Sequence, residues 1–357
     1  MRVSNTEKAA VVESSARLAS SLVGPTGSAD PWLERLGCKL FPRDRALIQY
    51  VCWCHQLGVL ELLSEGPVSI PDVCSRTQLS ENGADALLGV LCALSIARRQ
   101  PSGRYLLSET AHEFFSPGSP FYIADELPPS GERIPRSYLG NGAMAHAWIK
   151  VIHLLPSMRK GTTGRLRNQH VRNLPACIAA VETGEFAGVD CIVDLAGGSG
   201  AFAIPLALKY PSTRIVLADL PAAVPNASPF LAEHGVAGRV ELVGMDVFAY
   251  PWKLPECDGF FIGNFLHGFD DNTSIRVCRE AYERLGRGGK IWVHEMLWNA
   301  NKDGPLITAL WNASMRAAGG KQRTAGEMMS LLREAGFQSP YVVPTAGAFA
   351  LVGAHKR

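Results

Sequence analysis

The segment Val193-Asp194-Leu195-Ala196-Gly197-Gly198-Ser199-Gly200 places an acid ahead of three glycines, D-x-x-G-G-x-G, between a strand-like apolar run and a helical one. Glycines at such a turn let the backbone fold tightly and approach a ligand that side chains would hold off. Asp219 lies nineteen residues beyond Gly200, at the end of the next apolar run, where a carboxylate can accept both hydrogens of a ribose diol. A third acid, Asp246, follows the strand after that, placed to meet an adenine amino group with Val247 and Phe248 beside the ring. Three acids at successive strand ends point to a nucleoside cofactor. A dinucleotide loop reads G-x-G-x-x-G and holds a pyrophosphate on a helix amino terminus. An acid in that loop repels pyrophosphate but suits the ammonium and sulfonium of S-adenosylmethionine, which is therefore the expected cofactor, with NAD as the competing reading.

Methyl transfer from a sulfonium needs a nucleophile held in line with sulfur and methyl, and positioning of that kind is worth up to roughly 7–11 kcal/mol. A phenol or alcohol must also lose its proton, and a placed base contributes about 10²–10⁴-fold. His267 is the candidate, because it follows the strand Gly259–Gly263, near the carboxyl end of a sheet where α/β ligands bind. A lone histidine near a strand end is otherwise an ordinary structural residue.

The elements that must position these residues alternate strand and helix: strands at Cys191–Leu195, Arg214–Ala218, Val240–Val243, Gly259–Gly263 and Lys290–His294, helices at Ala201–Lys209, Pro221–His234 and Thr273–Leu285. Alternation of this kind means a parallel sheet with helices on both faces. Tyr341–Pro344 and Phe349–His355 read as a closing antiparallel hairpin. Upstream, Asp44–Leu63 carries apolar residues at helical spacing, Ile70–Cys74 opens a second helix, and Leu79-Ser80-Glu81-Asn82 caps the next, with Ala84–Leu94 forming a longer apolar one. Ile96–Leu107 then reads as two short strands around Pro101-Ser102-Gly103, completing a winged-helix pattern. A groove-reading helix should be basic, whereas Asn82–Leu94 contains Asp85 and no Lys or Arg, so the unit is expected to pack against another chain. Residues 1–30 read as a loose arm, 31–120 as the winged-helix-like unit, 121–184 as linker and substrate-pocket helices including one over Ala143–Met158, and 185–357 as the cofactor-binding domain.

Composition narrows the class. The 357 residues are 47% hydrophobic and 19% charged with a net charge of +2, which excludes a disordered chain and a polyanion binder relying on a whole-molecule basic field. Nine scattered cysteines, with Cys52-Trp53-Cys54 as the tight pair, read as buried free thiols in a reducing compartment. No apolar stretch suits a signal peptide or a membrane span, so a cytoplasmic protein without membrane association is expected. No H-x-x-x-H or C-x-x-C spacing suggests a metal. One local departure from neutrality is the cluster Arg159, Lys160, Arg165, Arg167, His170 and Arg172, either a solvated face or a subsite for an acidic substrate such as a carboxylated aromatic.

In order and spacing, Val193–Gly200, Ala218-Asp219-Leu220-Pro221, Gly244–Phe248, Phe265-Leu266-His267-Gly268-Phe269-Asp270-Asp271, Val293–Met296 and Gly320-Lys321-Gln322-Arg323-Thr324 with Glu327 resemble the S-adenosylmethionine-dependent O-methyltransferases of the caffeic-acid and antibiotic-biosynthesis type. The resemblance covers about residues 40–357. It implies a Rossmann-like α/β methyltransferase domain with a mostly helical winged-helix-like amino-terminal dimerisation domain, a homodimer that binds no nucleic acid, and a small, aromatic acceptor in secondary metabolism. It implies His267 as general base and Glu295 as the acid orienting it, while His294, one residue earlier on the strand, should face away. It adds Leu220, Asn264 and Phe269 to the cofactor side, and Met144, Trp148, Asn312 and Met315 to the acceptor side, where Trp311 and Met328 also fall. Gly268, Phe269 and Gln322 depart from the family pattern: Gln322 stands where a second orienting acid is usual, able to hold a ring nitrogen without offsetting its charge. The same scaffold also serves C- and N-methyltransferases and non-methylating members.

Overall fold

The computed structural model describes residues 43–117, 119, 122, 124, 127, 134, 138, 139, 162–317 and 319–357. The expected arm, most of the expected linker and the Ala143–Met158 helix, with Met144 and Trp148, lie outside the described residues.

The first unit comprises helices α1 (Arg43–Gln56), α2 (Val59–Glu65), α3 (Ile70–Arg76) and α4 (Glu81–Ala93), the hairpin β1 (Ala97–Arg99) and β2 (Tyr105–Leu107), and α5 (Glu109–Phe115). The apolar period over Asp44–Leu63 predicts one helix; two form, because Gly58 adopts φ +73° and turns the chain between them. Ser69 and Ser80 cap α3 and α4 by accepting the Asp72 and Gly83 N–H groups. The wing is the expected one, with Ala97 opposite Leu107 and Val68 bridged to Tyr105. Helix α4 is buried along most of its length and packs against α10 (Leu306–Ala317), so Ala309, Ala313 and Trp298 from the second half complete this unit's core. The Arg316–Asp85 ion pair (2.7 Å) and the Tyr138 hydroxyl, which donates to the Ala313 carbonyl (2.6 Å), seal the contact.

The second half is built on a seven-stranded sheet ordered β5-β4-β3-β6-β7-β9-β8, from β3 (Cys191–Leu195), β4 (Arg214–Asp219), β5 (Val240–Gly244), β6 (Cys257–Gly263), β7 (Leu285–Met296), β8 (Gln338–Pro344) and β9 (Phe349–His355). Strands β3 to β7 pair in parallel, while β9 is antiparallel to β7 and to β8. All of β3 is buried, as befits a strand covered on both faces. One face packs on α9 (Asp271–Arg284) and α11 (Ala325–Glu334), the other on α6 (Thr162–Glu182) and α7 (Ala203–Lys209).

Three boundaries differ from expectation. Strand β7 begins at Leu285, where the helix was expected to end, because the Gly286–Gly289 run carries the chain straight into the sheet. Only residues 224–233 of the expected Pro221–His234 helix are helical, as a 3-10 turn followed by α8 (Ser228–Glu233). Helix α6 runs for 21 residues through Pro175, over a stretch the sequence marks only as basic and pocket-forming. Strand order reverses between β3 and β6, and in open α/β sheets ligands bind in the crevice at the carboxyl ends beside such a switch.

Candidate active site

Both strands at the switch end in a strained residue: Ala196 after β3 has φ +56° and Asn264 after β6 has φ +50°. Left-handed backbone at non-glycine positions clusters at functional sites.

On the β3 side, Gly197 has no room for a side chain: a Cβ there would lie 2.7 Å from Leu217 and 2.8 Å from Asp194 Oδ2. Gly198 and Gly200 take φ +56° and +77°. Asp219 braces the loop, its Oδ2 accepting from the Gly198 N–H (2.9 Å) and its Oδ1 from the Leu220 N–H (2.7 Å). Asp194 lies beneath the loop, and its Oδ2 is buried without a hydrogen-bond partner among the described residues. Burial, with the Asp219 charge adding to it, pushes the Asp194 carboxyl up to about 8. Asp246 turns the next loop by accepting from the Phe248 N–H (2.9 Å), with Val247 buried behind it. Phe248 stands edge-on to Phe269 (5.2 Å between centroids), which also meets Phe265 (4.9 Å). The expected cofactor residues thus lie at or just after the carboxyl ends of β3, β4, β5 and β6.

On the β6 side a 3-10 turn carries His267. Glu295, at the end of β7 and 1% exposed, accepts from the Phe265 and His267 N–H groups through Oε1 (2.9 and 3.3 Å) and meets His267 Nδ1 through Oε2 (2.6 Å). Burial would raise the Glu295 carboxyl, but the His267 ring and these hydrogen bonds outweigh it and hold the group below its ordinary range. His294 points to the other face, its Nε2 2.9 Å from Thr345 Oγ1, and burial pulls its pKa down to about 4.

The Asp270-Asp271 pair explains itself structurally. Asp270 caps α9 by accepting the Thr273 N–H (2.8 Å), and Asp271 pairs with Arg323 (2.8 Å) and Lys321 (2.5 Å). Arg323, almost wholly buried, also donates to the Leu266 and Phe269 carbonyls (3.0 Å each) and to Ser274 Oγ (3.1 Å), clamping both ends of the histidine turn. Gly320 allows that approach: a Cβ there would fall 2.1 Å from the His267 carbonyl oxygen, which accepts the Lys321 N–H at 2.9 Å. The sequence showed Arg323 only as part of a motif.

Gln322 does not hold the histidine. With its amide oriented so that both ends are satisfied, its nitrogen donates to the Met296 carbonyl (2.8 Å) and its oxygen accepts from Trp311 Nε1 (3.2 Å), while Glu295 already engages the ring through Nδ1. Gln322 instead fixes Trp311, whose ring stands perpendicular to His267 at 5.8 Å. Asn312 is likewise a brace, its Oδ1 accepting the Gln322 N–H (2.9 Å) and its Nδ2 donating to Asp85 (3.4 Å). Met315 is half-buried on α10, and Met328, on α11, belongs to the hydrophobic core.

The basic cluster separates. Arg159, Lys160 and the Arg165 side chain lie outside the described residues. Arg167 makes an exposed pair with Glu233 (3.3 Å). His170 turns inward, its Nδ1 2.9 Å from Ser199 Oγ in the glycine loop and its ring stacked on Phe230 (4.5 Å). Burial, reinforced by the neighbouring His234, pulls its pKa down to about 4, so it is neutral at pH 7. Arg172 places its guanidinium 5.7 Å from the Trp311 ring centroid. Neither tertiary contact has a local sequence signal. Among the described residues no cluster of three or more His, Cys, Asp or Glu suits a metal, no helix is long and apolar enough to cross a membrane, and the cysteines are free, all buried except the half-buried Cys74.

Residues 167–338 match the O-methyltransferase domain family. The chain is 25% identical over 305 residues to a 3-hydroxy-5-methyl-1-naphthoate 3-O-methyltransferase of Streptomyces sahachiroi, covering 79% of this chain and 83% of that one. It is 27% identical over 343 residues to the acetylserotonin O-methyltransferase of Bos taurus, covering 84% and 92%. In fold it is similar to an O-methyltransferase family 2 protein from Planctomyces limnophilus solved with apigenin, with a TM-score of 0.73 at 23% identity, covering 94% of this chain and 98% of that one. The human N-acetylserotonin methyltransferase, solved with S-adenosylmethionine, shares the fold at a TM-score of 0.54 and 22% identity, covering 94% and 99%. Residues 167–338 are thus an O-methyltransferase domain, and the protein is an S-adenosylmethionine-dependent methyltransferase. It is an enzyme of methyl transfer to small molecules.

The crevice fits that cofactor on its own terms. Asp194 has a buried oxygen without a hydrogen-bond partner among the described residues, beside a turn where a Gly197 Cβ would collide with that same carboxyl. The cationic end of S-adenosylmethionine would satisfy that acceptor and stabilise its charged form.

Proposed function

We propose that the enzyme methylates a hydroxyl on a small aromatic metabolite, with His267 as general base. The carrying observation is the 2.6 Å contact between His267 Nδ1 and Glu295 Oε2, which leaves Nε2 as the nitrogen free to take a proton. Bound S-adenosylmethionine supplies an electrophilic methyl on a sulfonium. Asp219 would hold the ribose diol, Asp246 the adenine amino group, with Leu220, Asn264, Val247, Phe248 and Phe269 around the nucleoside, and Asp194 the cationic end. His267 Nε2 would take the acceptor's hydroxyl proton, while Glu295 would fix the tautomer and offset the imidazolium charge. Trp311, held by Gln322, walls the acceptor beside the base. Relatives named for naphthoate, acetylserotonin and isoflavone acceptors, each built on an aromatic ring, support an aromatic substrate. Pairing of two chains through the amino-terminal unit, and a place in secondary metabolism, belong to the same reading.

The test is a mass-spectrometric screen of phenols, hydroxynaphthalenes and their carboxylic acids with S-adenosylmethionine. The reading expects a gain of one methylene located on oxygen by fragmentation. A methyl group on carbon or nitrogen, or no transfer across a panel that binds, overturns it.

A further inference from the structure

The glycine loop after β3 is fastened from two directions. From the sheet, Asp219 Oδ2 accepts the Gly198 N–H at 2.9 Å. From helix α6, His170 Nδ1 comes to 2.9 Å from Ser199 Oγ, a contact buried inside the protein. Ser199 is 5% exposed, and the glycines on either side of it have φ +56° and +77°. Within Gly197–Gly200 it carries the one side chain that another element can grip. We infer that His170 is a positioning residue for the cofactor: by holding the Ser199 hydroxyl, it keeps the glycine loop in the shape that receives S-adenosylmethionine.

Three features carry this. A run of glycines loses much conformational freedom on ordering, so contacts from outside the loop weigh heavily in keeping it in one shape. The imidazole is also a firm post. Its residue is 5% exposed, and its ring stacks on Phe230 of α8 at 4.5 Å, with the His234 ring at 6.0 Å. Finally, the post is uncharged. Burial, with His234 adding to it, pulls the His170 pKa down to about 4, and the nearby Arg167 and Glu233 pair with each other at the surface. A lysine or arginine could donate to the same hydroxyl, but only by fixing a cation behind a loop that must receive a sulfonium and an ammonium. A neutral imidazole grips the loop without that charge.

This role concerns the cofactor side and does not depend on whether the methyl group goes to oxygen, carbon or nitrogen. Two substitutions separate the ring's two contacts. His170→Phe keeps an aromatic ring for Phe230 and loses the bond to Ser199, whereas His170→Asn keeps an amide near the place of Nδ1 and loses the stack. Both are measured by calorimetry with S-adenosylhomocysteine and by thermal melts without ligand, beside Ser199→Ala and the double variant His170→Phe with Ser199→Ala. Affinity should follow the hydrogen bond and Tm the stack. His170→Phe should raise the Kd about fivefold to tenfold with a Tm near that of the wild type, and His170→Asn should lower the Tm while holding the Kd within about twofold. On the Ser199→Ala background, His170→Phe should cost no further affinity, because the two residues act through one bond. A wild-type Kd in His170→Phe, equal weakening in the Phe and Asn variants, or single losses that multiply in the double variant would each overturn the inference. If His170→Phe does not fold, the other two single variants decide: His170→Asn must keep the wild-type Kd and Ser199→Ala must lose it, and any other result overturns the role.

Discussion

Glu295 grips His267 twice and its turn once more: one carboxylate oxygen accepts the main-chain N–H groups of Phe265 and His267, and the other meets His267 Nδ1 at 2.6 Å. A single buried side chain at the end of β7 thus shapes the turn after β6 and sets the ring that the turn carries. Arg323 holds the same turn from the opposite side through the Leu266 and Phe269 carbonyls. The base is positioned by backbone contacts as much as by its own ring.

Separating the two roles of Glu295 gives the first prediction. Glu295→Gln keeps an oxygen for the two N–H groups, whereas Glu295→Ala leaves them unpaired in the interior, at about 1–3 kcal/mol each. Urea midpoints should fall in the order wild type, Gln, Ala, and turnover should drop in both variants by roughly tenfold to a hundredfold, as expected for one lost charge-assisted hydrogen bond. Equal stability of the two variants contradicts the capping role.

Gly320→Ala places a methyl group against the His267 carbonyl, where the backbone must move. Overpacking of this kind costs about 1–3 kcal/mol, and a displacement near 1 Å at a reacting group can cost on the order of 10²-fold in rate. Gly326→Ala on α11, whose nearest contact would be 3.8 Å away, is the control and should be close to neutral. Thermal melts and kcat on both variants check this, and a fully active Gly320→Ala enzyme would show that the turn does not need its present position.

Asp194 makes stability depend on pH. Its folded carboxyl sits near 8 and its unfolded one near 3.8, so between those values the folded chain holds a proton that the unfolded chain has released. This group's contribution is complete below about pH 4 and is lost as pH rises through 8. Asp194→Asn removes that slope, so the Tm difference between variant and wild type, both without ligand, should grow in the variant's favour from pH 5 to pH 8.5. The stabilisation gained from S-adenosylhomocysteine should shrink in the variant. A Tm difference that does not change with pH contradicts the assignment.

The sheet was legible because parallel strands covered on both faces read as continuous apolar runs, as Cys191–Leu195 does, and because each ends in an acid or a glycine turn. Facing was legible too, since alternation separates His294 from Glu295. Helix α6 was not, because its first half is polar and Pro175 interrupts its pattern. The break at Gly58 was hidden by apolar spacing that continues across it. Gln322 was misplaced for a different reason: sequence position set it near the histidine, but the direction of an amide depends on partners 11 and 26 residues away, Trp311 and Met296. His170 and Arg172 fell together in a charge run, and folding alone turned one inward and the other onto Trp311.

The central claim is that cofactor binding and proton removal are held by different sides of the crevice. Its most direct test is His267→Ala, assayed for single-turnover methyl transfer and, by calorimetry, for the Kd of S-adenosylhomocysteine. The account predicts a rate lower by about 10²–10⁴-fold with the Kd unchanged. Unimpaired transfer would contradict it.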